Sequence, residues 1–138
     1  MKAFSTYDGM AVEILRNRNI PVVIMTSENS KAVLQRAKKL NIKEVYIDEK
    51  EKLKRMQYLC KKMNIKMSEV AYIGDDLNDL NLLNKVGISG CPINSPIINI
   101  INPDIVTDRR GGEGAFREFV DRILNPNPLD EFIDTLLK

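Results

Sequence analysis

Apolar residues along this chain alternate between short unbroken runs and stripes that recur every third or fourth position. The run from Ile20 to Thr26 (IPVVIMT) is short and continuous, as expected of a strand covered on both faces. Ser30 to Leu40 then places Val33, Leu34, Ala37 and Leu40 on one helical face. Glu44 to Ile47 reads as a second strand, and Lys50 to Met63 as a longer helix with Leu53, Met56, Cys60 and Met63 inward. Val70 to Ile73 is a third strand, followed by a helix from Leu77 to Asn84. A fourth strand begins near Val86, and a short fifth runs from Asp104 to Thr107. Between them Ser95 is expected to cap a short helix whose first position is Pro96. Repeated strand–helix units of these lengths predict an α/β fold: a mostly parallel sheet, right-handed crossovers, and helices on both faces.

The ends read differently. Asp8 to Asn17 is predicted helical, with Asp8 as its cap and Val12, Ile14 and Leu15 inward. Arg117 to Leu124 is a further amphipathic helix, and "NPNP" at 125–128 is a stiff break. Beyond it, Leu129, Phe132, Ile133, Leu136 and Leu137 crowd a last short helix, which invites docking on this chain or a neighbouring one. The expected division is one α/β domain over 1–124 and a tail with a short helix over 125–138.

Composition narrows the function classes. A length of 138 residues fits one domain with a real core. The net charge of +2, with both signs mixed, implies neither a nucleic-acid stripe nor a basic membrane face. No apolar run reaches the roughly 18 residues of a membrane span and no signal-peptide pattern opens the chain, so a cytoplasmic location is expected. Cys60 and Cys91 lack metal spacing and sit among apolar residues, as buried free thiols do. Histidine is absent, which excludes Ser-His and Cys-His nucleophile pairs and histidine-built zinc sites.

In open α/β sheets, ligands sit outside the carboxyl ends of the strands. Thr26 and Ser27 end the first strand here, Asp48 and the lysines after it follow the second, and "GDDLND" (Gly74 to Asp79) follows the third. A hydroxyl, an ammonium and a cluster of carboxylates suit a phosphate held beside a hard cation such as Mg²⁺. Each residue also has a plainer reading. Thr26 and Ser27 could begin a loop, Lys52 could be a solvated lysine, and Asp75 or Asp76 could cap the next helix. One capping acid is ordinary; Asp75, Asp76 and Asp79 together are harder to explain that way.

The order Thr26, Lys52, GDDLND resembles the second to fourth motifs of haloacid-dehalogenase-like phosphatases. Receiver domains also use an acid pair, a hydroxyl and a lysine, but their acids come first in the chain. More narrowly, "KAFSTYDGMAVEIL", "VAYIGDDLNDLNLLNKVGIS" and "GGEGAFREFVDRIL" resemble the capless, Rossmann-like 3-deoxy-octulosonate 8-phosphate phosphatase group. The phosphatase-like C-terminal domain of some acylneuraminate cytidylyltransferases is similar. The resemblance implies an Mg²⁺-dependent phosphatase acting on a small-molecule phosphate ester, as a homo-oligomer and most often a tetramer. It implies that Thr26 contacts the phosphoryl group, with Ser27 a poorer neighbour, and that Lys52 neutralises charge there. By the same likeness Asp75 ligates the metal, Asp76 or Asp79 supports it from behind, and Gly111, Gly112 and Gly114 lie at an interface near an active site.

Two departures stand out. The group's first motif, D-x-D on a central strand, supplies the attacking aspartate, and no D-x-D occurs in this chain. The resemblance therefore implies a sheet without its central strand and a chain without turnover of its own. Ser27-Glu28 and Glu113 also stand where the group often carries arginines, which suit anionic sugar acids. A non-catalytic domain that assembles or regulates a sugar nucleotidyltransferase is the alternative.

Overall fold

The computed structural model describes residues 6–112 and 114–124. Its elements are α1 (Thr6–Asn17), β1 (Val23–Met25), α2 (Lys31–Lys39), β2 (Glu44–Tyr46), α3 (Lys52–Met63) and β3 (Ala71–Ile73). They continue with α4 (Leu80–Leu83), β4 (Ile88–Pro92), α5 (Ile98–Ile101), β5 (Ile105–Thr107) and α6 (Ala115–Leu124). All strand pairs are parallel, but the sheet is in two pieces, β1–β2 and β3–β4–β5. Val23 stands opposite Glu44, Ala71 opposite Ile88, and Gly90 opposite Ile105.

Helices cover both faces and bridge the pieces. On one face Met56, Leu59 and Cys60 of α3 pack with Met25, Leu82, Tyr46 and Tyr72, so a single cluster spans β1, β2 and β3. On the other, Ala11 and Leu15 of α1 meet Val120 and Phe116 of α6, while Val12 meets Ala37 and Ile42. Both cysteines are free and buried.

Asparagine closes much of this helical layer. Asn19, Asn41, Asn64 and Asn102 follow α1, α2, α3 and α5 with φ of 59°, 55°, 55° and 48°. That left-handed turn is one that asparagine tolerates better than other residues with a Cβ. At its other end α2 is capped by Ser30, whose Oγ accepts from the Val33 N–H at 3.2 Å.

Several expectations need correction. Leu34 is 41% exposed, because the buried stripe of α2 is centred on Val33 and Ala37 and Leu34 falls to its side. The helix expected from Leu77 to Asn84 is a 3₁₀ turn (Leu77–Asp79) followed by α4, since Asp76 and Asp79 hold that turn tightly. The helix expected at Pro96 begins at Ile98; Ser95 Oγ instead accepts from the Ile97 N–H and caps the turn before it. Asp8 lies within the first turn of α1, not before it. The predicted break and helix of the tail lie outside the described residues.

Candidate active site

The carboxyl ends of β1 and β3 open on one cavity of about 490 Å³, whose polar end is formed by Thr26, Gly74, Asp75, Pro92, Gly111 and Gly112. Asp79 organises that end although it is itself 1% exposed. Its Oδ1 accepts from Lys52 Nζ at 2.6 Å and from the Tyr72 hydroxyl at 2.5 Å. Its Oδ2 accepts from the backbone N–H groups of Asp75 and Asp76 at 3.1 and 3.2 Å. Four donors on one buried carboxylate fix the loop that presents Asp75. Burial alone would raise the Asp79 pKa, but the bonds from Lys52 and Tyr72 leave it below the ordinary carboxylate value. Burial, then the adjacent Asp79 charge, push the Tyr72 hydroxyl well above its usual value. Gly74 is required by the same packing, because a Cβ there would lie 2.6 Å from Asp79 Cγ.

The other two acids of the trio have separate fates. Asp76 Oδ1 accepts from the Leu77 N–H at 2.7 Å, so this side chain serves as a cap. The backbone carbonyl of Asp75 is braced by Ser95 Oγ at 3.0 Å. Among the described residues, no donor reaches the Asp75 carboxylate. Gly111 passes beside it, where a Cβ would stand 3.5 Å from Asp75 Oδ2.

Thr26 is 2% exposed, and its Oγ1 accepts from the Glu28 N–H at 3.2 Å, which leaves the hydroxyl proton for another group. Ser27 joins three loops at the rim. Its carbonyl accepts from Lys50 Nζ at 2.7 Å, and its Oγ accepts from Asn78 Nδ2 at 3.1 Å. Lys50 also pairs with Asp48 at 3.5 Å.

A free carboxylate, a hydroxyl with a spare proton and a buried ion pair sit together at the end of a parallel sheet. The family model for haloacid dehalogenase-like hydrolases matches residues 3–87. The chain belongs to the haloacid dehalogenase-like hydrolases. It is 36% identical over 124 residues to the 3-deoxy-D-manno-octulosonate 8-phosphate phosphatase of Salmonella typhi, a match covering 90% of this chain and 66% of that one. A crystal structure of the Moraxella catarrhalis phosphatase of that name, in complex with magnesium ion, phosphate ion and KDO, superposes with a TM-score of 0.84. That likeness is 36% identical and covers 99% of this chain and 79% of the other. The cobalt-bound Haemophilus influenzae phosphatase superposes at 0.83 with 29% identity, covering 96% and 82%.

Within this haloacid dehalogenase-like fold, Thr26 and Asp75 line the same cavity. Lys52 is brought to Asp79 rather than into hydrogen-bond contact with Thr26. Gly111 and Gly112 line the cavity of their own chain, and Gly114 is buried at the start of α6. Glu113 is outside the described residues. Tyr72, Ser95 and Asn78 were not foreseen. Tyr72 could have been found, since it lies two positions before Gly74 on the strand that feeds the acid loop, whereas Ser95 is far away in sequence.

Mg²⁺ is commonly bound through one or two carboxylates, with phosphate oxygens and water completing its octahedron. Asp75 fits that role because no donor among the described residues reaches its carboxylate. Asp76 and Asp79 are already engaged. Among the described residues no three acids, cysteines or histidines converge on one point. No described helix is long and apolar enough to cross a membrane.

Proposed function

We propose that this chain carries the metal and phosphate half of an Mg²⁺-dependent phosphomonoesterase acting on a sugar-acid phosphate, such as a 3-deoxy-2-ulosonate phosphate. The observation that carries this reading is that Asp75, whose carboxylate no donor among the described residues reaches, lines the same cavity as Thr26. The magnesium and phosphate bound to the Moraxella catarrhalis relative support it. Asp75 would hold the ion, whose chemistry is to neutralise charge on the phosphoryl oxygens. Thr26 donates a hydrogen bond to a phosphoryl oxygen. Lys52 fixes Asp79, and Asp79 fixes the backbone of Asp75 and Asp76. Serving sugar-acid biosynthesis in the cytoplasm, as a cyclic tetramer, belongs to the same proposal; sedimentation would test the assembly.

The chain has no D-x-D, so a carboxylate to attack phosphorus is missing from its motifs. That absence favours a second reading, a non-catalytic phosphatase-like domain that assembles or regulates a partner such as an acylneuraminate cytidylyltransferase. Hydrolysis of p-nitrophenyl phosphate with Mg²⁺ separates the outcomes. The 138-residue chain is expected to give no turnover. A longer chain supplying D-x-D on an apolar strand should give turnover that Asp75→Asn abolishes. Turnover that survives Asp75→Asn contradicts the assignment.

A further inference from the structure

The loops that follow β1, β2 and β3 carry acids. Glu28, Asp48 and Asp76 are exposed on them, and Asp75 is half-buried. Like charges repel, so an ester bearing a carboxylate as well as a phosphate is held off by such a rim unless cations meet it. The lysines of these loops are already engaged. Lys50 Nζ donates to the Ser27 carbonyl at 2.7 Å and pairs with Asp48 at 3.5 Å. Lys52 is 4% exposed and is bound to Asp79.

The loop from Asp108 to Gly112, after β5, brings the opposite charge to the same end of the fold. Its backbone is pinned. Glu118 of α6 accepts from the N–H groups of Asp108 and Arg109 at 2.9 and 3.0 Å. Thr107 Oγ1 donates to the Arg109 carbonyl at 2.8 Å, and the Gly111 N–H donates to Asn94 Oδ1 at 3.4 Å. Arg110 lies between these anchors with its side chain exposed. Among the described residues no hydrogen bond or ion pair engages its guanidinium, whereas Arg109 has a partner. Gly111 is the residue that passes beside Asp75, and consecutive Cα atoms are about 3.8 Å apart, so Arg110 Cα lies within about 9 Å of Asp75 Oδ2. An arginine side chain and a bound carboxylate together span that gap.

We propose that Arg110 is a specificity-determining residue: its guanidinium takes the carboxylate of the phosphate ester whose phosphoryl group lies between Thr26 and the ion at Asp75. The inference rests on the phosphatase reading and adds to it the group that selects an acidic substrate. A guanidinium matches a carboxylate with two parallel N–H···O bonds and keeps its charge at any working pH. The backbone on either side of Arg110 is held before the substrate arrives, so binding has to order the side chain alone. Lys50 and Lys52 are tied to the protein's own oxygens, and neither is placed to make that paired contact.

The test compares two phosphate esters of similar size: 6-phosphogluconate, which has a carboxylate, and glucose 6-phosphate, which has none. Each is titrated in the presence of Mg²⁺ into the isotope-labelled 138-residue chain and into its Arg110→Gln and Lys39→Gln variants, Lys39 being an exposed cation of α2. NMR follows the backbone amides and the arginine Nε–H groups. The unsubstituted chain is expected to bind 6-phosphogluconate about fivefold more tightly, the upper end of what an exposed ion pair gives. That ester alone should move the Arg110 Nε–H resonance. Arg110→Gln should bring the two affinities together, while Lys39→Gln should keep them apart. The proposal is overturned, with the phosphatase reading left standing, by equal affinities in the unsubstituted chain or by an unmoved Arg110 Nε–H. A preference that survives Arg110→Gln, or that disappears in Lys39→Gln, does the same. Failure of both esters to shift Thr26 and Asp75 removes the phosphatase reading, and this proposal with it.

Discussion

Asp79 and Asp75 are chemically alike, yet their surroundings give them opposite duties. Asp79 spends its charge on structure. Replacing it by Asn leaves the buried Lys52 ammonium without a counter-charge, and such a break costs about 3–5 kcal/mol. Urea unfolding of Asp79→Asn should show that loss. The pH dependence has a definite sign. The folded pKa of Asp79 lies below its unfolded value, so its contribution is complete above the unfolded value of about 3.9 and is lost as pH falls through the folded one. The wild-type midpoint should therefore drop below about pH 4, and Asp79→Asn should lack that part of the drop. Among the described residues, Asp75 has no side-chain donor to lose. Asp75→Asn should change stability by no more than about 0.5 kcal/mol, as substitutions away from packed or paired groups do. The sequence made the acid trio visible because carboxylates so close together repel unless something binds them. It did not rank the three, because the ranking comes from Tyr72, Lys52 and Ser95, which only folding brings to them.

Among the elements, β4 shows how tightly the sheet and helices fit. A Cβ on Gly90 would stand 2.4 Å from Phe119 Cε1 of α6. Gly90→Ala should cost about 1–3 kcal/mol by overpacking, read from thermal or urea unfolding. Strand and helix positions were largely legible, since continuous apolar runs and helical stripes are local signals. The misplaced boundaries have a common cause. The 3₁₀ turn at Leu77–Asp79 and the late start of α5 are set by side chains bonding to backbone, Asp76 and Asp79 in one case and Ser95 in the other. Periodicity does not register such bonds. Leu34 failed differently: it lies on the right side of α2 but beyond the width of the surface that covers it.

For the molecule as a whole, two sheets stand where the sequence implied one sheet lacking its middle strand, and shared helices hold them together. The break should be visible in native-state hydrogen exchange. Amides of β4, paired on both sides, should be the most protected, and those of Val23, Met25, Ala71 and Ile73 should exchange fastest among strand residues. Uniform protection across all strands would show that β1 and β3 are joined in solution. Binding of the metal carries the functional reading. Mg²⁺ titration of the chain and its Asp75→Asn variant, followed through backbone amides, tests that reading most directly. The account predicts saturable shifts at Gly74, Asp75, Thr26 and Gly111 that vanish in the variant. Shifts that persist in Asp75→Asn, or that centre on Asp48 or Asp76, would contradict it.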